Sequence, residues 1–407
     1  MIGARRIRMP GQVWGLAAPD AAGPVFVTSY AGKDLSTTVL AALDVTGEVL
    51  WRRTFDGHPG RPRVSADGSV WIAHGPTGAV LTELDATGSI LCSIAPPHEP
   101  HESLGAFVVL PDGVCVSWLP AEGTPTVSKG RHARIARYES NGTSRWSTPA
   151  VLDKLSFPGC VEISVETNGE VRPSKPSTPQ SIEASHWEPL LISGHRVAAT
   201  FTDGGSGIAV TFFLDTATGQ LVAASRPGPS HHKAIIGPGE FLIGSQGYGA
   251  FATARHDATG VVVQEWPTHA MLLIDRQGAI RGPEYENVLP TRSRFVGLAD
   301  DGTVRAGPAL SGFYTAYPAL DRDGTAVFWR DGRLLAVDAG FRMHELFALE
   351  GDKRAVMSRI LLLDQGQLAF ALHDELFLLR SSGLGQLDSG VWPCADGGLH
   401  GNPVAYQ

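Results

Sequence analysis

A turn marked by glycine recurs along almost the whole 407-residue chain. Each of these turns ends a short apolar run, and pairs such as Asp-Gly supply the positive φ that tight hairpins need. Successive turns are 45, 45, 81, 45, 39, 46 and 42 residues apart, counted between Gly23, Gly68, Gly113, Gly194, Gly239, Gly278, Gly324 and Gly366. A second set of turns, such as TGEVL at 46–50 and TGSIL at 87–91, interleaves with the first. Each repeat therefore holds four strands.

A period of 40–45 residues with four strands is typical of a β-propeller blade, and helical periodicity is hard to find anywhere in the chain. We predict an all-β fold in which residues 1–407 form a single β-propeller of four-stranded blades. Eight blades are expected, with seven as the alternative if the weak C-terminal repeat only closes the ring. The expected blades are 13–56, 61–96, 104–150, 186–226, 230–266, 268–309, 312–350 and 355–388. Either the N-terminal RRIRMPG or the C-terminal HGNPVAYQ is able to complete a terminal blade.

One repeat carries a recognisable motif. The segment ALDVTGEVLW at 42–51 resembles the blade motif A-x-D-x-x-T-G-x-x-x-W of the quinoprotein-like (PQQ-repeat) propeller superfamily. LDATG at 84–88, DTATG at 215–219 and HDATG at 256–260 are weaker copies. The resemblance implies a propeller in which Trp51 packs between neighbouring blades. It does not imply a function, because many members bind no quinone, and the lack of adjacent cysteines and of an export signal argues against bound PQQ.

Composition excludes several classes of partner. The net charge is −8, whereas a nucleic-acid-binding protein would need a basic face. No run approaches 18 apolar residues, so no membrane span is expected. The basic N-terminal segment has no apolar run behind it and does not read as a secretory signal. The four cysteines, Cys92, Cys115, Cys160 and Cys394, form no C-x-x-C pair, which favours reduced thiols in a cytoplasmic protein.

Histidine recurs where the first strand of a blade begins. Five successive blades start this way, with His58, His101, His186, His231 beside His232, and His269. In a propeller the first strand of each blade lines the central channel, so these side chains are expected at one mouth of the channel. Because neighbouring residues of a strand point to opposite faces, only one of His231 and His232 should face the channel, and the shared register with His186 favours His231. His232 would then not bind the metal itself and would orient one of the side chains that do.

Converging imidazoles predict a divalent metal site, since histidine is the commonest ligand of zinc and similar ions. The expected ligands are His101, His186, His231 and His269, with His58 as a further candidate. A copied packing element, in which each ring bonds to a neighbouring blade, and metal-free ligand binding remain alternatives.

Other side chains are expected on the same face. Blade 7 has tyrosine where blades 2 to 6 have histidine, so Tyr314 or Tyr317 is a candidate proton donor, and Arg292 is a further catalytic candidate. Tyr248, Glu286, Arg294 and His400 are candidate substrate-binding residues. The long interval between blades 3 and 4 contains residues 151–183, in which an Asn-Gly turn predicts an inserted hairpin. This hairpin would form a lid over the mouth, a surface decoration or an oligomer contact.

These features predict an enzyme with a histidine-rich, metal-dependent site at the channel mouth that performs lyase-type proton transfer on a small molecule. Hydrolysis would use the same ligands. The alternative is a non-catalytic propeller that serves as a binding scaffold. The sequence does not specify the substrate, the metal or the oligomeric state.

Overall fold

The computed structural model describes the greater part of the chain. The described residues are 4–31, 36–57, 60–120, 133–150, 161–165, 171–176, 182–184, 189–203, 208–228, 230–247, 250–284, 293–312, 316–349, 358–381 and 383–405.

The described residues form 36 β-strands and two short 3₁₀ turns, Asp364–Gly366 and Ala395–Gly397. The strands are β1 (Ala4–Arg8), β2 (Val13–Ala17), β3 (Val25–Ala31), β4 (Thr37–Leu43), β5 (Val49–Asp56), β6 (Arg63–Val64), β7 (Val70–His74), β8 (Val80–Leu84), β9 (Ile90–Ile94), β10 (Glu102–Leu110), β11 (Gly113–Pro120), β12 (Ala133–Glu139), β13 (Ser144–Ala150), β14 (Val161–Val165), β15 (Val171–Pro176), β16 (Ile182–Ala184), β17 (Leu190–Ser193), β18 (Arg196–Asp203), β19 (Ala209–Asp215), β20 (Leu221–Ala224), β21 (Ser230–Gly237), β22 (Glu240–Gly247), β23 (Ala250–His256), β24 (Val262–Trp266), β25 (Leu273–Ile274), β26 (Ile280–Pro283), β27 (Arg294–Leu298), β28 (Val304–Ala309), β29 (Ala316–Leu320), β30 (Ala326–Arg330), β31 (Arg333–Val337), β32 (Met343–Ala348), β33 (Leu361–Leu362), β34 (Gln367–Leu372), β35 (Glu375–Arg380) and β36 (Val404–Ala405).

Eight antiparallel sheets follow one another along the chain and form the blades of a β-propeller. Blades 1 to 8 consist of β2–β5, β6–β9, β10–β13, β17–β20, β21–β24, β25–β28, β29–β32 and β33–β35 with β1. The first strands of neighbouring blades contact one another, as β10 and β17 do, so they surround the central channel. We call them inner strands. The prediction of a single eight-bladed, all-β propeller is confirmed.

The core is a ring of apolar clusters between adjacent blades. Leu40 of blade 1 packs with Ile72 of blade 2, and equivalent clusters join each later pair of blades. The last cluster joins Leu376 of blade 8 to Val27 of blade 1 and closes the ring. Both faces of the middle strands are buried in this way, so β3 and β4 are buried along almost their whole length and carry no charged residue.

The two chain ends have different roles. Strand β1 pairs with β35 and becomes the outermost strand of blade 8, so the N-terminal segment is the one that completes a terminal blade. The C-terminal tail, residues 384–405, crosses the channel instead. Its carbonyls accept hydrogen bonds from inner-strand amides of blades 6, 7, 1, 2 and 4, in the pairs Ile274–Trp392, Leu320–Pro393, Ala18–Leu399, Val64–His400 and Ile192–Pro403.

The tail closes one end of the channel. Each of its partners stands at or next to the end of an inner strand, beside the turn to the second strand. We call this the turn end of the channel and the opposite end the mouth. Inner strands are edge strands with unpaired backbone groups, and the tail supplies partners for several of them.

The long interval between blades 3 and 4 contains a two-stranded hairpin, β14 with β15, and the short strand β16, which pairs with β18. A role of the hairpin as a lid stays a prediction.

Among the described residues, no helix has the length and apolar character needed to span a membrane.

Candidate functional site

Tyr317 lies at a β-bulge in the inner strand of blade 7. The pairing of β29 with β30 jumps from Ala316 to Ala319, which leaves Tyr317 and Pro318 outside the regular ladder. Proline cannot donate a ladder hydrogen bond, and bulges redirect side chains next to functional sites. Tyr317 has a φ of 22° and is 8% exposed, and its side chain lines a cavity in the channel.

Arg61 joins Tyr317 to the C-terminal tail. Its Nη2 donates a hydrogen bond to the Tyr317 hydroxyl oxygen, and its guanidinium carbon lies 5.0 Å from the centre of the phenol ring. Its Nη1 lies 3.4 Å from Oδ2 of Asp396 in the tail. Residues from blade 2, blade 7 and the tail therefore meet at one point, although Arg61 is 256 residues from Tyr317 and 335 from Asp396 in sequence.

The cavity is small and partly open, with about 10 Å³ available to the centre of a water molecule. Its wall includes His232 and Lys233 of blade 5 and Tyr317 of blade 7, and Trp392 of the tail forms part of the floor. His232 is 7% exposed and Lys233 is 2% exposed. The C-terminal tail is thus a component of the site and not only a closure of the ring.

His232 and His269 form a pair near the cavity. Strand β21 is irregular between Ser230 and Lys233, so strict alternation does not decide which of its two histidines faces the channel. The centres of the His232 and His269 rings are 5.7 Å apart, and the angle between the ring planes is 33°. The imidazole of His269 packs closely against Gly244 of blade 5. A Cβ atom added at that glycine would collide with the ring. His269 thus makes a packing contact between blades 5 and 6.

Among the described residues, no three His, Cys, Asp or Glu side chains come close enough to hold a metal ion. His58 and His186 lie outside the described residues, as does the side chain of His231. The described histidines therefore provide a pair of imidazoles and not a complete ligand set, and the metal stays a prediction.

Three arginines surround Asp396 at the floor of the channel. Arg63 Nη1 lies 3.4 Å from Oδ1 of Asp396. Burial raises the pKa of this carboxyl, but the charges of Arg63, Arg61 and Arg359 outweigh burial, and the net effect lowers the pKa of Asp396. Burial lowers the pKa of Arg63, and the like charges of Arg61 and Arg359 act in the same direction against the attraction of Asp396.

The same arginines anchor the tail. Arg63 donates to the carbonyl of Gly401, and Arg359 donates to the carbonyl of Gly398. Nη2 of Arg359 also lies 3.0 Å from the Cys394 sulfur.

The remaining candidates are dispersed. His101 is partly exposed at the start of β10, beside Glu102, whose carboxylate binds Arg134 at 2.6 Å and makes a structural ion pair. Arg294 is exposed at the start of β27, the third strand of blade 6, where its backbone amide bonds to Glu284. His400 shares a hydrogen bond of 2.8 Å with the Pro19 carbonyl at the turn end, so it does not lie at the mouth, where its position in the repeat had placed it. Tyr248, Glu286, Arg292 and Tyr314 lie outside the described residues.

Sequence reasoning missed Arg61, Arg63, Lys233, Arg359 and Asp396. A usable signal existed for the four cations, because a long cation at the start of a buried inner strand is unusual and needs a partner. RPR at 61–63, HHK at 231–233 and SR at 358–359 all have this form. Asp396 gave no such signal, since it follows the last repeat.

Comparisons with known proteins agree with this fold. The chain matches no protein-family description and no curated protein sequence. Among solved structures it is similar to the Dos1 propeller, with a TM-score of 0.56 and 10% identity over 94% of this chain and 96% of that one. It also matches virginiamycin B lyase from Staphylococcus aureus (TM-score 0.43, 10% identity, 94% and 100% covered) and YCF48 from Cyanidioschyzon merolae (0.48, 12%, 93% and 98%). At 10% identity the similarity to the Dos1 propeller shows the fold alone, and it agrees with the propeller architecture that the quinoprotein-like resemblance implied.

Proposed function

We propose that the chain is an enzyme that performs lyase-type proton transfer on a small molecule in the channel, with Tyr317 as the proton-transferring group. The observation that carries this proposal is the hydrogen bond from Arg61 to the Tyr317 hydroxyl at the wall of the small cavity. A guanidinium in this position stabilises the negative charge of a phenolate. Tyrosine in that state is a competent general base.

The proposed step is an elimination. The Tyr317 phenolate takes a proton from the carbon next to the one that carries the leaving group. The electrons of that C–H bond form the double bond, and the bond to the leaving group breaks with its electrons. The phenol of Tyr317 then returns the proton to the leaving group. His232 and Lys233 line the same cavity and are placed to stabilise the charge that develops on the substrate.

No step of this mechanism is assigned to a metal, because the described histidines supply only the His232–His269 pair.

Three cysteines of the described chain are free thiols, which supports the cytoplasmic location that we also propose.

The second candidate function is a non-catalytic binding scaffold. It is favoured by pairs of exposed aliphatic residues on the outermost strands of blades 1, 2, 4 and 5, such as Leu50, Leu91 and Leu221. Exposed apolar groups of this kind are common at surfaces that contact other molecules.

The test is a panel of small molecules that carry a leaving group beside an acidic C–H bond. Turnover is followed by the ultraviolet absorbance of the new double bond, for the wild type, Tyr317→Phe and Arg61→Gln. We expect Tyr317→Phe to lose about 100-fold or more in rate, with its circular dichroism unchanged. Tyr30→Phe is the matched control, because Tyr30 is a buried tyrosine in the second strand of blade 1. Wild-type turnover by Tyr317→Phe would contradict the proposal, and binding of panel members without turnover would favour the scaffold.

A further inference from the structure

We propose that the arginine cluster at the floor of the channel, Arg63 and Arg359 around Asp396, binds the carboxylate or phosphate group of a small molecule. Because that anion would be a group of the substrate, this inference deepens the proposed function and rests on it for its role. Binding itself does not require Tyr317.

The first argument is charge. Arg63 and Arg359 are 5% and 4% exposed, and among the described residues Asp396, which is 1% exposed, is the one carboxyl whose pKa the charges of both arginines lower. Arg61 adds a third guanidinium, 3.4 Å from the same carboxylate. Buried charges are costly unless they are paired, so a cluster with more cations than carboxylates favours an additional anion.

The second argument is the hydrogen bonding of Arg359. Only its Nη2 is used, for the Gly398 carbonyl and the Cys394 sulfur. Its Nε and Nη1 are buried without a hydrogen-bond partner, and so is Nε of Arg63. Burial raises the pKa of the Cys394 thiol, so the sulfur stays neutral and does not offset the charge of Arg359. Unused guanidinium donors are suited to carboxylate and phosphate oxygens.

The third argument is position. Ala395, the residue before Asp396, lines the cavity, and Arg61 bonds to both Asp396 and Tyr317. A ligand with its anionic group at the arginines would therefore extend towards the Tyr317 hydroxyl. Anchoring of the tail does not account for the unused donors, since it occupies one nitrogen of Arg63 and one of Arg359.

The test uses the full chain and measures its thermal unfolding midpoint in inorganic phosphate, in succinate and in chloride at matched ionic strength. We expect phosphate or succinate to raise the midpoint by about 2–4 °C in a saturable manner, with chloride having no effect. The two oxyanions distinguish a phosphate site from a carboxylate site. A wild type that responds equally to all three salts, or to none, overturns the inference.

Arg359→Gln should abolish the oxyanion-specific shift, whereas Arg342→Gln, at an exposed turn, should retain it. If Arg359→Gln does not fold, Arg359→Lys replaces it, and we expect about tenfold weaker binding because the forked donor set is lost. If the Arg359 variant keeps the full oxyanion-induced rise in the unfolding midpoint, the anion binds at another place and the inference is overturned. Tyr317→Phe should still bind the anion, so failure of the lyase chemistry and failure of the anion site give different results.

Discussion

The indole of Trp51 in blade 1 donates a hydrogen bond of 2.8 Å to the carbonyl of Ala86 in blade 2. Its ring covers Gly88 of the same turn, where a Cβ atom would lie 2.6 Å from the indole. Trp146 and Trp266 repeat the hydrogen bond from blade 3 to blade 4 and from blade 5 to blade 6. The glycine turn before the last strand of one blade and the tryptophan of the preceding blade are therefore two halves of one interblade contact.

Gly88→Ala should destabilise the protein by about 2–3 kcal/mol, since the new methyl group meets the Trp51 ring and the residue has a φ of 79°. The matched control is Gly142→Ala. Gly142 occupies the equivalent turn of blade 3 with a φ of 83° and has nothing within 4 Å of the added atom. Denaturant unfolding of both variants separates the backbone effect from the contact, and equal losses would contradict the role of Trp51.

Asn402→Ala should destabilise the protein by about 2–3 kcal/mol. Its side-chain amide accepts a hydrogen bond from the Val109 N–H at 3.0 Å and donates one to the Val109 carbonyl at 2.9 Å in blade 3, and the alanine removes both bonds. Denaturant unfolding measures the loss, with exposed Gln277→Ala as the control. A change within about 0.5 kcal/mol of the control would mean that the tail contributes little at blade 3.

The stability that Asp396 contributes should depend on pH. The arginines hold its folded-state pKa below the ordinary value of 3.8. Its contribution is therefore fully present above that value, and it is lost as the pH falls through the lower folded-state pKa. The difference in unfolding free energy between the wild type and Asp396→Asn should be constant above about pH 5 and should shrink below about pH 4. Unfolding at several pH values tests this, with the exposed Asp300→Asn as the control. A difference that grows on acidification would contradict the sign.

The predicted metal can be tested directly. If His186 and His231 are ligands, elemental analysis of the purified protein should find about one divalent ion per chain, and His186→Ala and His231→Ala should each remove it while the fold is retained. Absence of bound metal after loading with zinc, manganese and magnesium would leave the mechanism through Tyr317 as the working proposal.

The order of the eight blades could be predicted from the sequence because it is encoded locally. Glycines at turn positions, such as Gly68 and Gly324, adopt positive φ as the repeat requires, and each hairpin pairs with its neighbour in sequence. Tyr317 was also predictable as a site candidate, because it stands where other blades start with histidine.

Only the tertiary structure decided the composition of the site. Arg61, Tyr317 and Asp396 meet because closure of the ring brings blades 2 and 7 around the same channel, which the tail crosses. A bulge at Tyr317 and an irregularity at His232 change the direction of side chains that alternation alone would assign. Repeats fix contacts within a blade and between neighbouring blades, whereas contacts across the channel join segments with no local pattern in common. The sequence by itself therefore determined the propeller, and the path of the tail, residues 384–405, determined which side chains share the channel.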